Sequence, residues 1–195
     1  LVDGGDVKAV AEISDTAVDL ARGELMQRLG AFNTSLEETE YLDRCRLKTA
    51  RLFEAACVLG RDSVGGGDGD VVALFGHRIG LAFQMLDDVL DIAGPVERTG
   101  KARGTDLLDG TVTLPFIEAA KVDPTLRDYD LASLDEVAAE ALCDRISATG
   151  ALDSVRSRAM GLIEEAKAGL TGTAIEPGQR KLLDLIADGV VLRYS

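Results

Sequence analysis

The stretch Gly80-Leu81-Ala82-Phe83-Gln84-Met85-Leu86-Asp87-Asp88-Val89-Leu90-Asp91 decides both the fold and the chemistry that the sequence predicts. Gln84, Asp87, Asp88 and Asp91 recur at intervals of three and four residues, so on a helix they form one narrow polar stripe. Almost every other residue of the stretch is apolar, which is typical of a helix that is buried on its remaining faces. We therefore predict a buried helix whose acidic stripe faces an internal cavity.

Outward from this stretch, apolar residues at helical spacing alternate with helix-breaking residues. Capping boxes at Ser35/Glu38 and Ser133/Glu136 are predicted to begin two of the helices. The glycine-rich residues 61–70 are interpreted as a connecting loop, since no Lys-Ser/Thr pair follows them as in a phosphate-binding loop. The predicted helices cover residues 6–29, 35–60, 71–93, a short segment from Pro115, 133–150, 152–170 and 177–193. Because no strand alternation is found, we predict an all-α helical bundle.

Composition limits the classes of function. The 195 residues suffice for one domain, and the 46% hydrophobic content indicates a globular protein. A net charge of −13 argues against binding to nucleic acid, and charges interrupt every apolar run, so no stable membrane anchor is predicted. Three cysteines without a CxxC pair favour a reduced, cytoplasmic protein.

The acidic stripe indicates a metal site. Three neighbouring carboxylates repel one another, and at the C-terminal end of a helix the helix dipole adds to their cost. A hard divalent cation would compensate for these charges, and carboxylate oxygens are the ligands that Mg²⁺ prefers. The alternative is a solvated acidic face, but the surrounding apolar residues argue against it.

Cationic side chains suited to a phosphate group are near the stripe in sequence. Arg98, Lys101 and Arg103 follow the acidic helix, and Lys48-Thr49 lies in the middle of the preceding long helix. A lysine at such a position can also extend along the surface to solvent, and that interpretation of Lys48 stays open. His77 has no partner in sequence and is interpreted as structural.

The motif Phe83-Gln84-x-x-Asp87-Asp88-x-x-Asp91 resembles the second aspartate-rich motif of trans-polyprenyl diphosphate synthases. The resemblance is dense over residues 20–120 and looser up to Arg193. It implies that residues 1–195 are the C-terminal part of a single prenyl synthase domain of the isoprenoid synthase type, without its N-terminal helices. Further segments in the order of the family are Gly23-Glu24-Leu25-x-Gln27, Tyr41-Leu42, Lys48-Thr49-Ala50-x-Leu52-Phe53, Gly76-x-x-x-Gly80-Leu81-Ala82, Gly100-Lys101, Gly104-Thr105-Asp106-Leu107 and Thr113-Leu114-Pro115.

The resemblance also implies a reaction, the condensation of isopentenyl diphosphate with an allylic diphosphate, and a homodimer. Asp87, assisted by Asp88 and Asp91, would hold Mg²⁺ bridged to the allylic diphosphate, with Asp106 as a further aid. Lys48 and Lys101 would bind the same diphosphate. Thr49 and Gln84 would line the cavity near the nascent cation.

Two departures from the family pattern keep other functions open. No second DDxxD motif is present, and Thr111 stands where many relatives carry a lysine. We therefore expect these 195 residues alone to be inactive. A non-catalytic partner subunit that modulates a prenyl diphosphate synthase is the main alternative, and a terpene-cyclising or diphosphate-binding protein of the same bundle is the second.

Overall fold

A computed structural model describes residues 6–65, 69–94 and 103–194, except for the Arg193 side chain. Every regular element in these ranges is helical, which confirms the predicted all-α class. The α-helices are α1 (Val7–Leu29), α2 (Glu38–Cys45), α3 (Arg51–Ser63), α4 (Gly69–Ala93), α5 (Thr105–Leu108), α6 (Leu114–Val122), α7 (Glu136–Ala148), α8 (Ala151–Gly169) and α9 (Pro177–Arg193). One π-helical turn (Arg46–Ala50) joins α2 to α3, and two 3₁₀ turns (Pro124–Asp128 and Leu131–Ser133) follow α6.

The capping box predicted at Ser35/Glu38 is wrong. The Ser35 backbone N–H donates to the Asn33 side chain at 3.1 Å, a local turn that holds Ser35 outside the helix. The helix begins at Glu38 instead, and the Glu40 carboxylate accepts from the Glu37 backbone N–H at 3.1 Å. The capping role thus moves two residues along the chain, because the Asn33 turn competes for Ser35.

The second predicted capping box, at Ser133/Glu136, is wrong for a similar reason. Ser133 ends a 3₁₀ turn, and its hydroxyl donates to the Asp130 carbonyl at 2.9 Å. Asp135 caps α7 by accepting from the Ala138 N–H at 2.8 Å. A nearby aspartate turn again displaces the expected serine cap.

The single helix predicted over residues 35–60 is interrupted by the π-helical turn and continues to Ser63, past Gly60. Glycines of both neighbouring helices allow close approach to this turn. A Cβ atom on Gly23 of α1 would lie 2.6 Å from the Lys48 backbone nitrogen, and one on Gly80 of α4 would lie 2.6 Å from Ala50 Cα. The π turn is therefore held tightly between α1 and α4.

Helix α4 is the centre of the bundle, packed mainly against α8 and α3. Its side chains Ile79, Met85 and Ile92 are fully buried. The opposing face of α8 supplies Val155 and Ile163, which are also buried. Because the apolar sides of α4 are covered in this way, its acidic stripe is left facing α2, the π turn and α5.

Two further predictions concern cysteines and membranes. Cys45, Cys57 and Cys143 are free thiols, the first and last buried and Cys57 partly so. Along the described ranges, no helix combines the length and the apolar character that crossing a bilayer requires.

Candidate diphosphate and metal site

A polar cavity of about 210 Å³ lies where α1, α2, the π turn, α4 and the segment after α5 meet. It brings together five residues predicted from sequence: Lys48, Gln84, Asp87, Asp88 and Asp106. Lys101, predicted to bind the same diphosphate, lies outside the described residues. The remaining lining residues are Gln27, Arg44, Cys45, Thr111 and Thr113.

Asp88 is the most enclosed carboxylate of the stripe, with 2% of its surface exposed. The Tyr41 hydroxyl donates to its Oδ2 at 2.6 Å, and the Gln84 Nε2 donates to its Oδ1 at 2.8 Å. Burial raises the pKa of Asp88 to about 6, although both hydrogen bonds act in the opposite direction. Each of the two Asp88 carboxylate oxygens thus already accepts a hydrogen bond from a protein side chain.

Asp87 and Asp91 occupy the same stripe but are less buried. The Tyr194 hydroxyl, at the end of α9, donates to Asp87 Oδ1 at 3.2 Å. Asp91 Oδ2 accepts from the Asp106 backbone N–H at 3.1 Å, and this contact holds α5 against the end of α4. The stripe thus positions the element that carries the fourth carboxylate, Asp106.

Asp106 adds its carboxylate to the same cavity, and its environment is strongly anionic. Burial, followed by repulsion from Asp88, Asp91 and Asp87, raises the pKa of Asp106 to about 8. A carboxyl group whose pKa is raised to near neutrality by burial and neighbouring charges is a candidate for a functional site. Burial and mutual repulsion therefore favour a cation beside these residues.

The carboxylates of the cavity fit Mg²⁺ better than a metal ion whose ligands all come from the protein. Among the described residues, no group of three His, Cys, Asp or Glu side chains stands close enough to hold a metal ion. Mg²⁺ commonly uses only one or two carboxylates and completes its shell with waters and substrate phosphates. Asp87 and Asp106, which both line the cavity, satisfy that requirement.

Lys48 supplies a cation on the other side of the cavity. Its Nζ donates to Gln27 Oε1 at 2.8 Å and forms an ion pair with Glu24 at 3.1 Å. Gln27 Nε2 in turn donates to the buried Thr111 hydroxyl at 3.2 Å. A lysine at position 111 would add positive charge to the cavity. This chain has the neutral Thr111 there, and Gln27 bridges Lys48 and Thr111.

Sequence reasoning missed Arg44 and gave Tyr41 no role. Arg44 is 5% exposed, its Nη2 donates to the Val112 carbonyl at 2.8 Å, and its guanidinium lies 5.3 Å from the centre of the Tyr41 ring. A signal was present in the sequence. Tyr41, Arg44, Cys45 and Lys48 have the same spacing of three, one and three residues as the acidic stripe.

Thr49 reaches the cavity through another residue. Its hydroxyl donates to Gln84 Oε1 at 2.7 Å. Gln84 lines the cavity, and Thr49 holds the Gln84 side chain through this hydrogen bond. Thr49 and Gln84 are thus hydrogen-bonded to each other, and their role near the substrate stays a prediction.

A second, apolar cavity of about 390 Å³ lies between α3, the first half of α4 and α9. Phe53, Phe75 and Ile79 line its inner wall, and Leu182 and Ile186 line its outer wall. The Phe53 and Phe83 rings are 5.5 Å apart, and Phe83 contacts Tyr194 edge-on at 6.0 Å. This aromatic row runs from the apolar cavity towards the acidic stripe.

Comparison with known proteins identifies the family. Residues 1–142 match the family model described as polyprenyl synthetase. The geranylgeranyl diphosphate synthase of Methanosarcina mazei is 34% identical over 191 residues, covering 96% of this chain and 58% of the relative. The heptaprenyl diphosphate synthase component 2 of Geobacillus stearothermophilus is 40% identical over 117 residues, covering 59% of this chain and 37% of the relative.

Solved structures give the same result. The polyprenyl synthase of Caulobacter crescentus, complexed with calcium and isoprenyl diphosphate, matches with a TM-score of 0.89 and 30% identity over 100% of this chain and 61% of its own. The heptaprenyl diphosphate synthase of Staphylococcus aureus matches with a TM-score of 0.88 and 26% identity, over 97% of this chain and 61% of its own. The 195 residues thus span about three fifths of these structures. The chain belongs to the polyprenyl synthetase family and has its all-α isoprenoid synthase fold.

Proposed function

We propose that the protein containing these residues is a Mg²⁺-dependent trans-prenyltransferase that condenses isopentenyl diphosphate with an allylic diphosphate. The observation that carries the proposal is the polar cavity, in which the cations Arg44 and Lys48 share a small volume with the carboxylates Asp87 and Asp106. Cations facing a carboxylate-bound metal form an arrangement suited to a diphosphate.

Separate roles are assigned to the residues that bind the diphosphate and those that bind the metal. Lys48 binds the allylic diphosphate directly, and Lys101, which follows α4 in the sequence, is proposed to do the same. Asp87, with Asp91 and Asp106 nearby, would hold the metal, whereas Asp88 supports the stripe from its buried position. When bound, Mg²⁺ neutralises negative charge on the pyrophosphate leaving group.

Gln84 and Thr49 act on the organic part of the substrate. The C–O bond of the allylic diphosphate breaks, and the double bond of isopentenyl diphosphate attacks the allylic carbon before a proton is lost. The partial negative charge on the Gln84 amide oxygen, held by Thr49, favours the developing allylic cation.

We also propose an assembly and a location for the protein. A homodimer follows from the family resemblance. A cytoplasmic location agrees with three free cysteines. Relatives named geranylgeranyl, geranylfarnesyl and heptaprenyl diphosphate synthase support a polyprenyl diphosphate product without fixing its length.

Turnover of radiolabelled isopentenyl diphosphate with geranyl, farnesyl or geranylgeranyl diphosphate tests the proposal. We expect a longer prenyl diphosphate with Mg²⁺ and none with EDTA. Lys48→Gln should raise the KM for the allylic substrate strongly, whereas Lys121→Gln, in an exposed ion-pair network with Glu38, should not. Failure of the folded protein to extend any of the three acceptors would contradict the proposal.

A non-catalytic partner subunit is the second candidate. Two observations favour it: relatives named component 2 of a heptaprenyl diphosphate synthase, and the neutral Thr111. This function predicts no turnover by the protein alone and a changed product length when it is added to a catalytic synthase. Turnover by the purified protein alone would exclude it.

A further inference from the structure

We propose that Tyr41 is a positioning residue of the polar cavity, which acts through Asp88 to fix the orientation of the Gln84 amide. The inference deepens the proposed function and rests on it for its kinetic consequences.

Four side chains form one hydrogen-bonded chain. The Tyr41 hydroxyl donates to Asp88 Oδ2 at 2.6 Å, and Gln84 Nε2 donates to Asp88 Oδ1 at 2.8 Å. The Thr49 hydroxyl donates to Gln84 Oε1 at 2.7 Å. The chain thus links α2, α4 and the π turn.

The order of donors follows from the chemistry of the groups. An ionised carboxylate can only accept hydrogen bonds, so the Gln84 NH₂ group must point to Asp88. The Gln84 carbonyl oxygen then faces Thr49, whose hydroxyl can donate to it. If the amide flipped, its oxygen would face the carboxylate and the hydrogen bond to Asp88 would be lost, while the Thr49 hydroxyl would have to accept instead of donate.

Tyr41 cannot act by touching the substrate. Its surface is 0% exposed, and its ring is packed beneath the Arg44 guanidinium. Gln84 and Asp88, by contrast, both line the cavity. Any influence of Tyr41 on a ligand therefore passes through these two residues.

The π turn supplies the second anchor. Thr49 belongs to this turn, which Gly23 and Gly80 hold at close range between α1 and α4. π-helical turns are frequent at functional sites. Here the turn fixes the Thr49 hydroxyl on one side of the amide while Tyr41 fixes the carboxylate on the other.

The direct test is hydrogen exchange of the Gln84 side-chain NH₂ group, followed by NMR in protein labelled with [¹⁵N]glutamine. Residues 1–195 contain three glutamines, Gln27, Gln84 and Gln179, and loss of a signal in Gln84→Met identifies the correct one. We expect Tyr41→Phe to accelerate this exchange at least about tenfold, because Asp88 loses the donor that holds it.

Two further variants make this test decisive. Thr49→Val removes the anchor at the other end and should accelerate the exchange likewise, even if Tyr41→Phe fails to fold. Tyr129→Phe is the matched control, because its hydroxyl accepts from Arg145 at 3.2 Å, outside this chain of hydrogen bonds. Exchange within about twofold of the wild-type rate in both Tyr41→Phe and Thr49→Val would overturn the inference.

A double-mutant cycle based on kcat separates the positioning of Gln84 from a general loss of structure. In the active protein, Tyr41→Phe should lower kcat about tenfold with little change in KM for isopentenyl diphosphate. In the Gln84→Met background, the same substitution should change kcat by less than about twofold. Equal effects in the two backgrounds would contradict action through Gln84. Absence of turnover in the wild type would refute the proposed function, while the exchange experiment would still decide the role of Tyr41.

Discussion

Helix α4 lines both cavities, yet the two cavities are held in different ways. The polar cavity of about 210 Å³ uses Lys48, Gln84 and the second half of α4, where side chains meet through individual hydrogen bonds and charges. The apolar cavity of about 390 Å³ uses the first half of α4 and the outer helix α9, where Leu182 and Ile186 remain more than half exposed.

The difference shows that one helix can carry two kinds of constraint. Around Asp88, a single oxygen or proton decides whether a buried group has a partner, so small changes are costly. Around Leu182, the contribution depends on apolar area removed from water, which changes gradually. Substitutions in the polar cavity should therefore affect activity sharply, and those on the outer wall should have mild effects.

The largest expected effect is on catalysis. Asp87→Asn should lower kcat/KM roughly a thousandfold, because a metal ligand supplies several kcal/mol of charge stabilisation in the transition state. Asp43→Asn, on the exposed side of α2, should leave kcat/KM unchanged. Steady-state assays with increasing Mg²⁺ measure both. A loss below about tenfold in Asp87→Asn would remove Asp87 from the metal site.

The next effect concerns the close contact between the π turn and α4. A Cβ atom on Gly80 would lie 2.6 Å from Ala50 Cα, so Gly80→Ala should lower the free energy of unfolding by about 1–3 kcal/mol. Gly161→Ala, in the middle of α8 with open space around it, should raise it by about 0.5–1 kcal/mol. Urea unfolding of the two variants measures the contrast. Stabilisation by Gly80→Ala would show that the helices can move apart.

A smaller effect is expected from pH in the metal-free protein. The folded-state pKa values of Asp88 and Asp106 are about 6 and about 8, raised from 3.8 mainly by burial. Between pH 5 and 8 the folded state therefore binds more protons than the unfolded state, and the free energy of unfolding falls as pH rises. One pKa unit corresponds to about 1.4 kcal/mol, and we expect a fall of at least that size.

Urea unfolding in EDTA at pH 5 and pH 8 tests this dependence. Asp106→Asn should flatten it, because a neutral amide at position 106 does not titrate. Mg²⁺ should stabilise the protein more at pH 8 than at pH 5, since it competes with protons for these carboxylates. Equal or greater stability of the metal-free protein at pH 8 would contradict the assigned pKa directions.

The smallest effect is expected on the outer wall of the apolar cavity. Leu182 is 62% exposed, so Leu182→Ala should change the free energy of unfolding by less than about 1 kcal/mol and leave turnover intact. Leu142→Ala, at a fully buried position of α7, should cost about 2–5 kcal/mol. Thermal or urea unfolding compares the two. A similar cost at both positions would show that another part of the protein covers the apolar cavity.

The acidic stripe and the helical class could be predicted because both depend on local periodicity. Gln84, Asp87 and Asp88 share a face by spacing alone, and the apolar residues around them indicate burial. The π turn could not be predicted, since Arg46–Ala50 contains no glycine or proline to mark it. Its presence depends on the close approach of α1 and α4, which is tertiary.

Other features of the site depend on contacts between distant residues. Gln27 meets Thr111 across 84 positions, and Tyr41 meets Asp88 across 47. No periodicity connects such pairs, so the sequence alone could place Thr111 only as a departure from a family pattern. The sequence does show the regular spacing of Tyr41, Arg44, Cys45 and Lys48. An Arg and a Tyr in a helix are, however, also common on ordinary amphipathic faces.

The most direct measurement is a crystal structure of the protein with Mg²⁺ and an allylic thiodiphosphate that cannot ionise readily. We predict that Mg²⁺ binds the Asp87 carboxylate and that the diphosphate contacts Lys48 inside the polar cavity, while Asp88 stays hydrogen-bonded to Tyr41 and Gln84. Metal and diphosphate bound elsewhere, with the polar cavity holding only water, would contradict the assignment of this cavity as the substrate site.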